Sequence, residues 1–238
     1  MKRIVLAGAL ALALSWSARA QADTPLTGAI ELKLGGYKPE IDSESGLTGT
    51  PYKTSFGSKS LLLVELEMDY QLFQAFGSAA VAGSVGYGEV YGKGVFASGP
   101  QAGEVSSDST SLQVLPLKLL GVYRFDVLAR RLNIPFVPFA KAGLVLQLWR
   151  STDGSGSVSV SYDNKHAQGY RTGFEGAVGL AFLLDWLDPA LAKDFDLDLG
   201  INHSYIFAEL QRDQIDGFGT PGFQFSDTMW TFGLALEY

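Results

Sequence analysis

Eight stretches of the chain alternate large apolar residues with small, polar or charged ones at a period of two, the spacing that turns successive side chains to opposite faces of a β-strand. The last, Asp227 to Tyr238, is the sharpest. Trp230, Phe232, Leu234, Leu236 and Tyr238 share one face, and Thr231, Gly233, Ala235 and Glu237 the other. The first, Gly28 to Lys38, sets Ile30, Leu32 and Leu34 against Glu31 and Lys33. Lys59 to Tyr70 sets Leu62, Val64, Leu66, Met68 and Tyr70 against Glu65, Glu67 and Asp69. In Ser78 to Tyr91, Ala79, Val81, Val85 and Tyr87 oppose Ala80, Ala82, Ser84, Gly86 and Gly88. Ser111 to Phe125 carries Leu115, Leu117, Leu119, Tyr123 and Phe125 against Lys118 and Arg124. Phe136 to Arg150 sets Ala140, Ala142, Leu144, Leu146 and Leu148 against Lys141, Gly143 and Gln147, and Gly169 to Leu184 sets Phe174, Val178, Leu180, Phe182 and Leu184 against Arg171 and Glu175. In Asp194 to Phe207 the same reading puts Phe195, Leu197, Leu199, Ile201, Tyr205 and Phe207 opposite Asp196, Asp198, Asn202 and Ser204.

The connectors sort by length. Long Gly/Ser/Asp-rich stretches follow the odd strands: Pro39 to Ser58, Gly92 to Thr110, Ser151 to Gln168 and Ala208 to Ser226. Shorter ones follow the even strands: Gln71 to Gly77, Asp126 to Pro135 and Asp185 to Lys193, the last two with room for a turn of helix at Val127 to Leu132 and Pro189 to Lys193. An even number of alternating strands with long loops on one side and short turns on the other predicts an all-β fold, an eight-stranded antiparallel closed up-and-down transmembrane β-barrel. Long loops then face outward from a bacterial outer membrane, and both termini lie in the periplasm.

The opening residues supply the compartment. Met1-Lys2-Arg3 and the apolar run Ile4 to Leu14 read as a secretory signal, too short to span a bilayer as a helix. Small-residue patterns at Ala18-Arg19-Ala20 and Ala20-Gln21-Ala22 leave cleavage after Ala20 or after Ala22, so residues 1–22 are expected to be a signal and residues 23–238 the barrel domain. Loss of Lys2, Arg3 and Arg19 makes the remainder more acidic than the formal −7 of the whole chain. Without a basic patch, nucleic acid is not an expected partner. With no Cys, neither a disulfide framework nor a thiolate metal site is available. Closure into a barrel leaves no unpaired backbone in lipid, whereas an open sheet would. Alternation ending on the aromatic Tyr238 resembles the C-terminal targeting strand of outer-membrane barrels, which implies the barrel-assembly machinery as a partner.

An eight-stranded barrel has an interior only just wide enough for side chains. The face rich in Gly, Ala and Ser therefore belongs inside, and the Leu, Phe and Tyr face belongs against lipid rather than filling a soluble lipocalin-like barrel. Lys33, Lys118, Arg124, Lys141 and Arg171 are then enclosed with Glu31, Glu65, Glu67, Asp69, Glu175, Asp196, Asp198 and Glu237. Enclosed charge demands partners. An internal ion-pair network follows, with Glu65 and Glu67 on Lys118, Lys33 or Lys141. Interfacial aromatics are expected at two levels: Tyr70, Tyr123, Phe125, Phe136, Phe195 and Tyr238 at the periplasmic rim, and Tyr87, Tyr91, Tyr170, Tyr205, Phe207 and Trp230 toward the outer rim.

Chemistry is sparse. His203-Ser204 falls toward the outer end of the seventh predicted strand, where outer-membrane lipid A deacylases and omptin-type proteases place a catalytic His. Adjacent residues on a strand face opposite ways, however, and a triad needs all its side chains within hydrogen-bond reach. His166, beside Asp163, Asn164 and Lys165, reads as a solvated loop residue. Glu40, Asp42, Glu44, Asp213, Asp216 and Asp227 are loop acids that could hold divalent cations near lipopolysaccharide phosphates, but without calcium-loop spacing they read as solvated. Gly83 to Gly88 lacks the strand-to-helix context of a nucleotide site. No catalytic, cofactor-binding or metal-ligating residue is assigned, and no cofactor is expected.

Several phrases do carry a likeness: Gly36-Tyr37-Lys38-Pro39-Glu40-Ile41-Asp42, Pro51-Tyr52 with Phe56-Gly57, Leu115-Pro116-Leu117 with Tyr123-Arg124-Phe125, and Ile134-Pro135-Phe136-Val137-Pro138-Phe139. They continue with Leu184-Asp185-Trp186-Leu187-Asp188-Pro189, Gly200-Ile201-Asn202-His203-Ser204-Tyr205 with Phe207-Ala208-Glu209, and Asp216-Gly217-Phe218-Gly219. The chain resembles a family of predicted outer-membrane β-barrel proteins from myxobacteria and related delta-proteobacteria, of the OmpA or OmpX size class. That resemblance implies fold and compartment and no established activity. The expected role is a structural or surface-interaction barrel acting through long loops in contact with outer-membrane lipid and lipopolysaccharide. A narrow small-solute channel is the alternative, and an outer-membrane lipid-modifying enzyme the third reading.

Overall fold

The computed structural model describes residues 26–96, 100, 103–160 and 164–238, so the signal expected at residues 1–22 lies outside the described residues. Eight strands run in sequence order: β1 (Gly28–Tyr37), β2 (Leu61–Gln74), β3 (Ser78–Val95), β4 (Val105–Arg124), β5 (Phe136–Asp153), β6 (Gln168–Leu183), β7 (His203–Gln214) and β8 (Asp227–Glu237). Each pairs antiparallel with its neighbour, and β1 pairs with β8, closing the barrel. Large apolar residues such as Leu32, Leu66, Leu119, Leu144, Val178 and Phe232 project outward and are exposed, while the interleaved positions are buried. A continuous apolar outer wall of this kind is stable against hydrocarbon and unstable against water. The barrel is transmembrane.

Strand length changes around the wall. β1 has 10 residues and β8 has 11, close to what a tilted membrane strand needs, whereas β3, β4 and β5 have 18, 20 and 18. The excess lies at the end opposite the termini, hereafter the loop end. Much of the loop expected over Gly92 to Thr110 is therefore ladder, with Gly92 paired to Thr110 and Val95 to Val105.

The largest departure from the sequence reading is at the seventh strand. Asp194 to Leu199 is not strand but the end of helix α3 (Pro189–Leu199), which follows α1 (Pro51–Phe56) and α2 (Val127–Leu132) in chain order. The Asp188 carboxylate accepts from Ala190 N and Leu191 N, Pro189 occupies the first turn, and Gly200 closes the helix at φ 67°. Those caps outweigh the alternation of Asp and apolar residues between them. The strand begins at His203 instead, and its parity is reversed. Tyr205 and Phe207 face inward at the terminal end, not outward near the outer rim; Asp196, Asp198 and Phe195 lie on α3, outside the barrel wall.

Small residues explain how aromatics fit inside. Phe207 lies over Gly233 and Phe139 over Gly179, on neighbouring strands, and the two rings meet edge-to-face at 5.7 Å. A Cβ on Gly233 would collide with Phe207 Cζ and sit 2.5 Å from the Leu32 carbonyl oxygen and 2.7 Å from Phe207 Cε1. Likewise Gly86 leaves room for the Pro116 ring, whose Cγ would be 2.8 Å from a Cβ there. Gly233→Val is expected to cost about 1–3 kcal/mol by overpacking, read as a lower urea midpoint of the folded barrel. Gly176→Val, where an added Cβ meets nothing within 4 Å, should leave that midpoint unchanged.

Candidate functional site

The lumen is filled by charge. Lys33 Nζ lies 2.8 Å from Glu67 and 3.5 Å from both Glu65 and Glu209; Lys141 Nζ lies 2.8 Å from Glu67 and 3.6 Å from Glu209 and also pairs with Glu31. Lys118 bridges Glu65 and Glu175, and Arg124 bridges Glu31 at 2.7 Å and Asp69. Alternation in β1, β2, β4, β5 and β6 points these groups to one axis, so the predicted network forms with its predicted central partners. Glu209, Gln211 and Asp213 complete it from β7 and were missed with that strand; Glu65 to Glu67 style spacing recurs there as Glu209, Gln211, Asp213. Arg171 is not a member.

Apolar packing closes both ends of the charged section. At the terminal end Val137, Phe139, Ala181, Tyr205, Phe207 and Ala235 pack on one side, and Ala80, Ala82, Leu120 and Val122 on the β3–β4 side. A gap of about 10 Å³ beside Arg124 and Glu237 has room for one water at most. At the loop end Tyr37, Leu61, Leu63, Val90, Val114 and Met229 from the strands meet Ile41, Tyr52, Phe56 and Phe225 from the loops.

The loops that make this cap are themselves built. Helix α1 presents Tyr52 and Phe56 to the barrel mouth, and the Asp42 carboxylate anchors its start by accepting from Tyr52 N at 2.7 Å and Lys53 N at 2.9 Å. The Tyr52 hydroxyl donates to the Lys59 carbonyl at 2.8 Å; burial, with Asp227 and Asp42 nearby, pushes this phenol up to about 12. The Tyr37 hydroxyl donates to the Phe225 carbonyl. Arg171, from the loop end of β6, holds residues 215–226: its guanidinium donates to the carbonyls of Asp216, Thr220, Pro221 and Phe223 and to the Thr220 hydroxyl. Gly217 and Gly222, at φ 67° and 139°, give the backbone that wraps it.

Around Trp149, whose ring packs edge-to-face on Phe223 at 5.3 Å, three cavities of about 580, 460 and 230 Å³ open at the loop end. The two smaller are lined by Tyr52, Phe56, Tyr170, Phe223 and Phe225 with a few polar groups, Glu44 and Arg171 among them, and the 580 Å³ one by strand residues including Tyr87, Leu115, Leu148, Gln113 and Arg150. A concave, aromatic surface with sparse polar groups is the usual form of a ligand site.

The acids expected in loops serve the loops. Glu40 pairs with Arg212 at 3.2 Å, Glu44 accepts from Gly222 N, Asp227 accepts from Lys38 N at 2.7 Å, and Asp216 accepts from Gln214. Asp213 is not a loop residue but a buried, inward-facing residue of β7. Among the described residues no group of three or more His, Asp or Glu side chains is placed to hold a metal ion.

His203 and Ser204 are at the terminal end, opposite where the sequence reading put them, since His203 pairs in register with Glu237. Both bond to Asp185: His203 Nδ1 at 2.7 Å from one carboxylate oxygen, the Ser204 hydroxyl donating to the other at 3.1 Å. The hydroxyl is thus held by the carboxylate rather than by the imidazole, which is not the order a hydrolytic triad requires. The arrangement ties the turn after β6 to the base of β7. His166 is exposed in the β5–β6 loop.

Fold and wall together define a small eight-stranded transmembrane β-barrel with a plugged lumen. No family model and no curated protein sequence matches the chain. Among solved structures it is similar to Ail, the attachment invasion locus protein of Yersinia pestis, in complex with the heparin analogue sucrose octasulfate, at 12% identity and a TM-score of 0.44 over 90% of this chain and 100% of that one. It is also similar to Neisserial surface protein A, at 12% identity and a TM-score of 0.44, covering 89% and 97% of the two chains.

Proposed function

We propose that the chain is a non-conducting outer-membrane barrel whose working surface is the loop end, where it engages ligands or other surfaces. The observation that carries this reading is the filling of the lumen among the described residues, with buried ion pairs at its centre and apolar packing above and below. Termini in the periplasm, a signal over residues 1–22, assembly through the β8 strand and membership of the myxobacterial barrel family complete the proposal. Their support is the basic-then-apolar start, the strand alternation and the sequence phrases quoted above. Reconstituted in planar bilayers at moderate voltage, the folded barrel is expected to give no steady single-channel conductance. Stable unitary steps that persist at low protein density would make the narrow channel the better reading.

A further inference from the structure

On the outer wall at the loop-end margin of the apolar belt, Glu89 of β3, Gln113 of β4 and Arg150 of β5 are neighbours across two ladders. They form a relay. The Tyr87 hydroxyl donates to Glu89 Oε2 at 3.0 Å, Gln113 Nε2 donates to Glu89 Oε1 at 2.7 Å, and Arg150 Nε donates to Gln113 Oε1. The relay tethers the guanidinium at Nε alone. Among the described residues, no acceptor meets either Nη of Arg150. Three other cations near this rim have partners: Arg212 Nη1 is held by Glu40 and by Thr228 Oγ1 at 2.9 Å, Lys59 Nζ by the Tyr91 carbonyl, and Lys93 Nζ by the Ser107 carbonyl.

Beneath Arg150 lies the cavity of about 580 Å³, floored by Tyr87, Leu115 and Leu148 and continuous with the lipid-facing belt at Leu117 and Leu146. A guanidinium tethered at Nε, whose two Nη groups meet no acceptor among the described residues, suits an oxyanion, above all phosphate, in two-point contact. An apolar trough running from it into the membrane suits an acyl chain. We infer that the β3–β5 wall is a lateral binding site for a phosphate-bearing lipid of the loop-end leaflet, with its phosphate on Arg150 and a chain along Leu115 and Leu148. The inference deepens the proposed loop-end function and rests on placing the belt in a membrane.

The test uses the full folded chain, inserted first into phosphatidylcholine vesicles, where failure to insert would count against the membrane placement and not the site. Micelle-released barrel is then examined by native mass spectrometry after incubation with lipid A, dephosphorylated lipid A or inorganic phosphate. Lipid A adducts are expected, reduced about tenfold in apparent affinity by Arg150→Gln and less by Gln113→Ala, and unchanged by Arg212→Gln. Three results would overturn the site: equal retention by Arg150→Gln, equal retention of the dephosphorylated lipid, or full displacement by millimolar phosphate, which would indicate an ion site without a lipid one. If Arg150→Gln failed to fold, Gln113→Ala binding as wild type would overturn it in its place.

Discussion

Lys33→Met is expected to destabilise the folded barrel by about 3–5 kcal/mol, the cost of removing one partner from a buried ion pair. Lys33 is wholly enclosed, within 3.5 Å of Glu65, Glu67 and Glu209. Enclosed cations are few: Lys33, Lys118, Arg124 and Lys141 stand against Glu31, Glu65, Glu67, Asp69, Glu175, Glu209, Asp213 and Glu237. Deleting a cation therefore leaves carboxylates facing one another, whereas converting a carboxylate to an amide relieves part of an existing excess. Glu209→Gln should accordingly cost far less than Lys33→Met, since an amide oxygen can still accept from Thr231 Oγ1, now at 2.8 Å. Urea titration followed by the heat-modified gel shift would compare the two. Equal midpoints would remove the cation-limited account of the lumen.

Arg171→Ala is expected to release residues 215–226 while the barrel remains closed. The guanidinium makes five hydrogen bonds to that loop, four of them to carbonyls, and among the described residues no ion pair. Bonds to a charged donor are each worth more than neutral ones, and although Ile215, Phe223 and Phe225 pack in the loop-end core and Phe218 packs on Phe174, the turn at 219–222 between them is held chiefly by this guanidinium. Proteolytic cleavage within 215–226 should rise by on the order of tenfold with the strands still protected, because local opening free energy controls nicking. Arg171→Lys should rescue it poorly, since a single ammonium cannot reach carbonyls arranged around a planar fork. Unaltered cleavage in Arg171→Ala would mean that the loop is held by its aromatic residues alone.

Much of this architecture was legible because membrane strands are simple objects. In β1 to β6 and β8 the period-two pattern fixed which side chain faces lipid, and hence which Lys and Glu meet inside. Two things escaped it. Asp194 to Leu199 alternates like a strand, yet Asp188-Pro189 and Gly200 are helix boundaries that were present in the sequence and carry more local information than six alternating residues. With that strand went Glu209, Gln211 and Asp213. The second was Arg171, whose inward parity was right but whose height was not: at the loop end an inward arginine meets folded-over backbone rather than the lumen's acids. The two smaller cavities beside Trp149 depend on how the loops fold together, and no spacing along the chain encodes that.

One property of the seam between β1 and β8 concerns time rather than stability. Every other ladder joins strands adjacent in the chain, while Thr27 Oγ1 and Thr27 N both donate to the Tyr238 carbonyl across a separation of 211 residues. Contacts between distant residues carry the full loss of chain freedom before returning any binding energy. Hairpins can form in succession along the chain, but closure waits for all of them. Until then β1 and β8 are two open edges in one molecule, and the interval before they meet is when this barrel is most exposed to pairing with something else.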